Sequence, residues 1–113
     1  MNFKVVQTPP ERFLSLPDYD FSENYETIKF HDTKMNMHYV DINRDSREVI
    51  LLLHGEPTWS YLYRHMIKIL AKSGHRVVAP DLIGFGKSDK LIEKENYTYA
   101  NHINWTGQFI EKM

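Results

Sequence analysis

The sequence predicts an α/β fold: a β-hairpin followed by a β-α-β-α succession belonging to a mostly parallel sheet. Three observations carry this. Val49, Ile50, Leu51, Leu52 and Leu53 form an unbroken apolar run, the pattern of a strand buried on both faces within a sheet covered by helices. Leu62, Met66, Ile69 and Leu70 then recur at the helical period, with Tyr63 and Ile67 widening the stripe. A second compact strand over residues 75–81 closes the unit. Strand, helix and strand within roughly thirty residues form a right-handed crossover, so the two strands run parallel.

Residues 1–24 hold Pro9, Pro10 and Pro17 among scattered aromatics without a period, and read as an irregular arm anchored by Phe13, Leu14, Leu16, Tyr19 and Phe21. Residues 25–30 and 35–42 read as the hairpin, with Met35, Met37, Tyr39 and Asp41 on one face and a turn at residues 31–34. A polar break over residues 43–47 precedes the apolar strand. Thr58 or Ser60 is placed to cap the following helix, which Lys72 and Gly74 end by a favourable dipole partner and a left-handed cap. Pro80 stands at the end of the second strand, where no ladder donor is needed. After a charged linker over residues 91–96, Thr98 caps a last helix with Tyr99, Ile103, Thr106, Ile110 and Met113 on one face and Trp105 and Phe109 beside it. Gly107 inside that helix costs about 1 kcal/mol relative to alanine, so the helix leans on packing.

At 113 residues, 42% hydrophobic and 26% charged, the chain has the composition of one globular domain, divided into the arm (1–24) and a core (25–113). A net charge of -1 gives no electrostatic footprint for nucleic acid or an anionic membrane. The absence of a bilayer-length apolar run and of a signal-peptide core points to a cytoplasmic protein. With no cysteine there is neither a disulfide nor a thiolate metal site. His31, Asp32 and His38 flank a hairpin tip without a ligand spacing and read as a solvated turn, so no metal and no cofactor is expected.

The chemistry concentrates where the apolar run stops. Gly55 lets the backbone turn at His54, Pro57 fixes a dihedral, and a helix starts just beyond. Such a turn leaves backbone N–H groups beyond the strand's carboxyl end, where a developing negative charge can be held. The alternative is an ordinary connection in an open α/β sheet. Gly86-Lys87-Ser88 ends like a phosphate-binding loop, but Asp81 stands where that motif requires glycine. A glycine-hinged loop beside the site is the reading that remains.

The stretch His54-Gly55-Glu56-Pro57-Thr58-Trp59-Ser60-Tyr61-Leu62-Tyr63-Arg64, followed by Val77-Val78-Ala79-Pro80-Asp81-Leu82-Ile83-Gly84-Phe85-Gly86-Lys87-Ser88-Asp89, closely resembles the haloalkane dehalogenases of the α/β-hydrolase superfamily. The element His54-Gly55-x-Pro57, with any residue at 56, is shared with epoxide hydrolases and many other α/β-hydrolases, whereas Glu56, Trp59 and Arg64 make the match specific. The resemblance implies the amino-terminal part of that fold and a two-stage reaction on small halogenated alkanes. A carboxylate displaces halide to give an alkyl ester, and a histidine paired with an acid activates water to hydrolyse it. It assigns the Glu56 backbone N–H as an oxyanion donor, His54, Gly55, Pro57 and Trp59 as supports of the turn, and a cis Glu56-Pro57 bond. The Glu56 carboxylate, having acceptors only, would help hold the attacking water rather than the halide.

The same resemblance places the nucleophile, acid and catalytic histidine in segments this sequence does not contain, and His65 and His102 lie on predicted helices. The expectation is therefore an incomplete hydrolase, inactive alone, from a family monomeric at full length. Its strand at residues 49–53 becomes an exposed apolar edge prone to aggregation. An epoxide hydrolase or other α/β-hydrolase is the alternative enzyme. A non-catalytic interaction module, or the complementing half of a split hydrolase, is the alternative outside catalysis.

Overall fold

The computed structural model describes residues 2–113. Strands β1 (Val5–Val6), β2 (Asn24–Phe30), β3 (Thr33–Ile42), β4 (Val49–Leu51), β5 (Arg76–Pro80) and β6 (Lys90–Leu91) alternate with helices α1 (Arg64–Lys72) and α2 (Tyr99–Glu111) and with short 3-10 turns. Four strands form one sheet in the order β2-β3-β5-β4. β2, β3 and β5 are joined antiparallel, and β4 runs parallel to β5, with Ile50 opposite Val77. The parallel crossover read from the sequence is thus present. A bidentate pair from Arg76 to the Asp41 carboxylate, at 2.9 and 2.8 Å, rivets β5 to β3.

Strand alternation sends side chains into two cores. Ile28, Met35, Met37, Tyr39 and Val78 face α2, where Trp105 and Phe109 meet them. Val40, Val77 and Ala79 face α1, where Ile67 and the arm's Tyr19 meet them. β3 and β5 are therefore the strands buried on both faces. The apolar run at residues 49–53 is not: Val49 is 53% and Leu51 38% exposed, because β4 lies at the sheet margin with β5 as its one neighbour.

The end of α1 and the start of α2 follow the sequence closely. Gly74, at φ 90°, donates its N–H to Ala71 C=O while His75 donates to Leu70 C=O, a Schellman termination of α1. The Thr98 side chain accepts the Asn101 N–H at the start of α2. The predicted faces do not hold. In α1, Ile67 is fully buried and Leu70 and Tyr63 pack beside it, while Leu62, Met66 and Ile69 are exposed. In α2, Trp105 and Phe109 are buried, and Tyr99, Ile103, Ile110 and Met113 are exposed. Each helix thus leaves apolar side chains exposed, and in α2 Tyr99, Ile103 and Ile110 line an open apolar hollow with Leu53, just past β4.

Other differences are local. The chain enters α1 through a 3-10 turn, Ser60–Tyr63, so neither Thr58 nor Ser60 is its side-chain cap. The hairpin turns at His31 and Asp32, because Thr33 already pairs with Phe30. The arm is largely irregular, yet β1 pairs antiparallel with β6, whose Leu91 is the first residue of the stretch read as a linker. Phe13, Leu16, Tyr19 and Phe21 pack down as expected, while Leu14 is 71% exposed. Among the described residues no helix is long and apolar enough to cross a membrane.

Candidate functional site

β4 and β5 are parallel, so their carboxyl ends open on the same end of the sheet, where residues 52–60 and 81–89 meet. His54 joins the two segments. Its Nδ1–H donates to Gly55 C=O at 3.0 Å and its Nε2 accepts the Leu82 N–H at 2.9 Å. That pair of bonds selects the tautomer with the proton on Nδ1. The Gly55 carbonyl also accepts the Thr58 N–H at 2.9 Å and the Thr58 hydroxyl at 2.5 Å, which closes a tight turn around the cis Glu56-Pro57 bond. The Glu56 N–H makes no hydrogen bond among the described residues. Glu56 lines an open cavity of about 700 Å³ together with Phe85, Lys90, Tyr97, Thr98 and His102.

Beneath this turn lies a buried polar hub that sequence reading did not find. Asp81, fully buried at the end of β5, accepts the Ser60 N–H at 2.7 Å on one oxygen. Its other oxygen accepts the Lys87 N–H at 3.0 Å and the His38 Nδ1–H at 2.8 Å. The carboxylate thus caps the 3-10 turn that follows the site, holds the glycine loop, and ties both to β3. Burial alone would raise its pKa, but the His38 bond and charge and the two amide bonds outweigh it and hold the carboxyl below the usual carboxylate range. The Ser88 hydroxyl donates to Asp81 C=O at 2.5 Å and accepts the His38 N–H at 2.8 Å, doubling the tie. Gly86 has to be glycine: at φ 54°, a Cβ would lie 2.6 Å from Asp81 Oδ2 and 2.7 Å from Trp59.

Trp59 secures the other flank. It stacks on Tyr61 at 5.5 Å between centroids and packs against Tyr19 and Phe13, joining the turn to the arm. The Tyr19 hydroxyl shares a 2.5 Å hydrogen bond with Ser60 Oγ, and burial, with Asp81's charge second, pushes that phenol well above its ordinary value. Lys87, the residue that gave the loop its phosphate-binding look, pairs with Glu23 at 2.9 Å and lies over the Phe13 and Tyr19 rings. Its amide is spent on Asp81, so the loop offers no phosphate cradle.

The structure therefore brings together all five residues singled out in sequence, His54, Gly55, Glu56, Pro57 and Trp59. It adds Asp81, His38 and His102. His65 lies on α1 and stays outside the cavity. Asp81 was visible as a mismatch to a nucleotide motif and as one residue of the stretch that carries the resemblance, with no role attached to it. Its meeting with His38 spans 43 positions, and no local pattern encodes that.

An α/β hydrolase fold family model matches residues 48–113. A haloalkane dehalogenase of Psychrobacter cryohalolentis is 46% identical over 111 residues, covering 97% of this chain and 37% of that protein. The solved haloalkane dehalogenase DpaA of Paraglaciecola agarilytica, described as tetrameric, superposes with a TM-score of 0.90 at 48% identity over 96% of this chain and 37% of its own. A Vigna radiata epoxide hydrolase gives a TM-score of 0.65 at 29% identity over 80% of this chain and 27% of its own. The chain thus spans little more than a third of the length of the dehalogenases it matches, and the matched segment includes the turn and its supporting loop. The chain belongs to the α/β-hydrolase fold family.

Proposed function

We propose that residues 54–60 supply one half of the oxyanion site of a hydrolase that cleaves carbon–halogen bonds. The observation that carries this is the Glu56 N–H, without a partner at the open end of two parallel strands, on a turn fixed by His54, Thr58 and Asp81. In this reading a carboxylate from a segment outside residues 1–113 attacks the carbon of a small halogenated alkane and releases halide. Water then adds to the ester's carbonyl carbon, and the oxygen that gains charge is met by the Glu56 amide and by a second amide from the nucleophile's own turn. The fixed turn matters because a preorganised donor needs no rearrangement as charge develops. The Glu56 carboxylate, an acceptor only, orients the water. Of the arm (1–24), Leu16, Tyr19 and Phe21 pack on the α1 side of the core (25–113), and Tyr19 and Phe13 hold Trp59 in place, while Phe3 and Val5 pack against the α2-side cluster.

The test is a chimera in which this chain replaces the matching segment of the Psychrobacter dehalogenase, assayed for bromide release from a short bromoalkane. Release supports the reading. Epoxide opening without bromide release would favour the epoxide hydrolase alternative. The bare margin of β4 supports a second reading, in which a complementary polypeptide docks there. Its test is restoration of halide release when the separately made remainder of the dehalogenase is mixed with this chain.

A further inference from the structure

The Gly55 C=O and the Glu56 N–H are the two poles of one peptide group. That group is planar and trans, so the two point in opposite directions and whatever fixes the carbonyl also aims the amide. Three donors converge on the Gly55 oxygen: the His54 Nδ1–H at 3.0 Å, the Thr58 N–H at 2.9 Å and the Thr58 hydroxyl at 2.5 Å. A carbonyl oxygen has two lone pairs, so this one is saturated from within the turn. The His54 bond is itself fixed, because Nε2 accepts the Leu82 N–H at 2.9 Å and the neutral ring keeps its proton on Nδ1. The Thr58 N–H closes the turn, which any residue but proline could do. The hydroxyl is extra, and it is the shortest of the three bonds. Helix capping does not explain it, since α1 starts at Arg64 and the hydroxyl donates rather than accepts.

Hydrogen bonds accepted by a carbonyl draw charge along the amide and make the N–H at its other end a stronger donor, by about 10–30% per bond. At the other end here is the Glu56 N–H, which makes no hydrogen bond among the described residues. We propose that Thr58 is a positioning residue for that amide: its hydroxyl, joined by its own N–H and by the His54 imidazole, loads the Gly55 carbonyl so that the Glu56 N–H is aimed out of the turn and strengthened as a donor to a developing oxyanion. This deepens, and rests on, the reading of that amide as half of an oxyanion site. The strengthening acts on one of the two chemical stages. When the carboxylate displaces halide, negative charge leaves the carboxylate, and a stronger donor gains nothing. When water adds to the ester's carbonyl carbon, its proton goes to a base outside residues 1–113, and the π pair of the C=O moves onto the oxygen that the loaded amide meets. Thr58 therefore bears on ester hydrolysis and not on halide displacement.

The experiment compares Thr58→Val, which keeps the branched shape and the N–H, with Thr58→Ser, which keeps the hydroxyl. In the dilute, isotope-labelled chain of 113 residues, the Gly55 carbonyl carbon and Glu56 amide nitrogen resonances should shift to lower frequency in Thr58→Val and return in Thr58→Ser. The Leu82 amide, held by His54, should stay where it is in both. In the chimera with the Psychrobacter dehalogenase, the first-turnover bromide burst should persist in Thr58→Val while hydrolysis of the alkyl ester slows. Removing a whole oxyanion donor costs about 10²–10³ in rate, so a weakening of about 10–30% corresponds to roughly two- to eightfold. Thr58→Ser should restore the rate. Unmoved Gly55 and Glu56 resonances in Thr58→Val overturn the proposal, as does ester hydrolysis at the parent rate. A Leu82 amide that moves as well, or a loss shared equally by burst and hydrolysis, shows a hydroxyl that merely holds the turn and overturns it too. A parent chimera without any bromide burst, with the resonances shifting as expected, overturns instead the hydrolase reading and the catalytic use of the loaded carbonyl.

Discussion

At the β2 margin of the sheet, the Gln108 side chain accepts the Lys29 N–H and donates to the Lys29 C=O, both at 2.8 Å, while the Lys112 ammonium meets the Thr27 C=O. At the β4 margin, Val49 and Leu51 stand exposed, and just past the strand Leu53 shares an open apolar hollow with Tyr99, Ile103 and Ile110 of α2. One helix thus furnishes both a lid for a core and a substitute strand for an edge. The opposite edge has neither, although its side chains are the more apolar. Sheet margins left this way are templates for further pairing, and natural proteins usually blunt them with lysine, proline or a covering segment. The difference shows that this sheet is finished in one direction and open in the other, with the candidate site at the open end's corner.

The contrast can be broken at several points. Removing the lid costs most: Trp105→Ala should lose about 3–5 kcal/mol in denaturant unfolding, since its ring is fully buried between α2 and the hairpin. Cutting the hub beneath the site comes next. Asp81→Asn leaves His38 without its charged partner and should cost about 3 kcal/mol. The same substitution should flatten the acid limb of a stability profile. Asp81's pKa is lowered in the fold, so its contribution is fully present above the ordinary carboxylate value and is lost as pH falls through the lowered one. Gln108→Ala should cost about 1–2 kcal/mol and make the Lys29 amide exchange with solvent as readily as an edge amide. The smallest effect on stability belongs to Val49→Lys, within about 0.5 kcal/mol. It should nevertheless suppress the concentration-dependent association expected of the open β4 edge, as read by sedimentation velocity. Association unchanged by that lysine would place the adhesive surface elsewhere.

Features encoded by neighbouring residues were legible in the sequence: the Gly74 termination, the Thr98 cap, the parallel crossover and the turn at Gly55 and Pro57. The helix faces were not. Ile103 and Ile110 recur at the same period as Trp105 and Phe109, and hydrophobicity alone does not say which stripe the hairpin covers. The apolar run at residues 49–53 marks a strand meant for covering and does not say which neighbours are present; its standing as an exposed edge, seen in β4, was expected only from the resemblance, which places the next strand outside this sequence. The Asp81–His38 contact and the Gln108–Lys29 bonds, 79 positions apart, join distant segments through single polar side chains and leave no period to detect. The turn itself was thus readable, while the scaffold that stiffens it was not.

The glutamine that imitates a strand also gives the architecture a direction of growth. With the Lys29 amide and carbonyl both occupied by Gln108, that flank is latched shut. Any strand added afterwards then has a single berth, beside β4, and a mispaired register on the far flank is refused by an amide already in place.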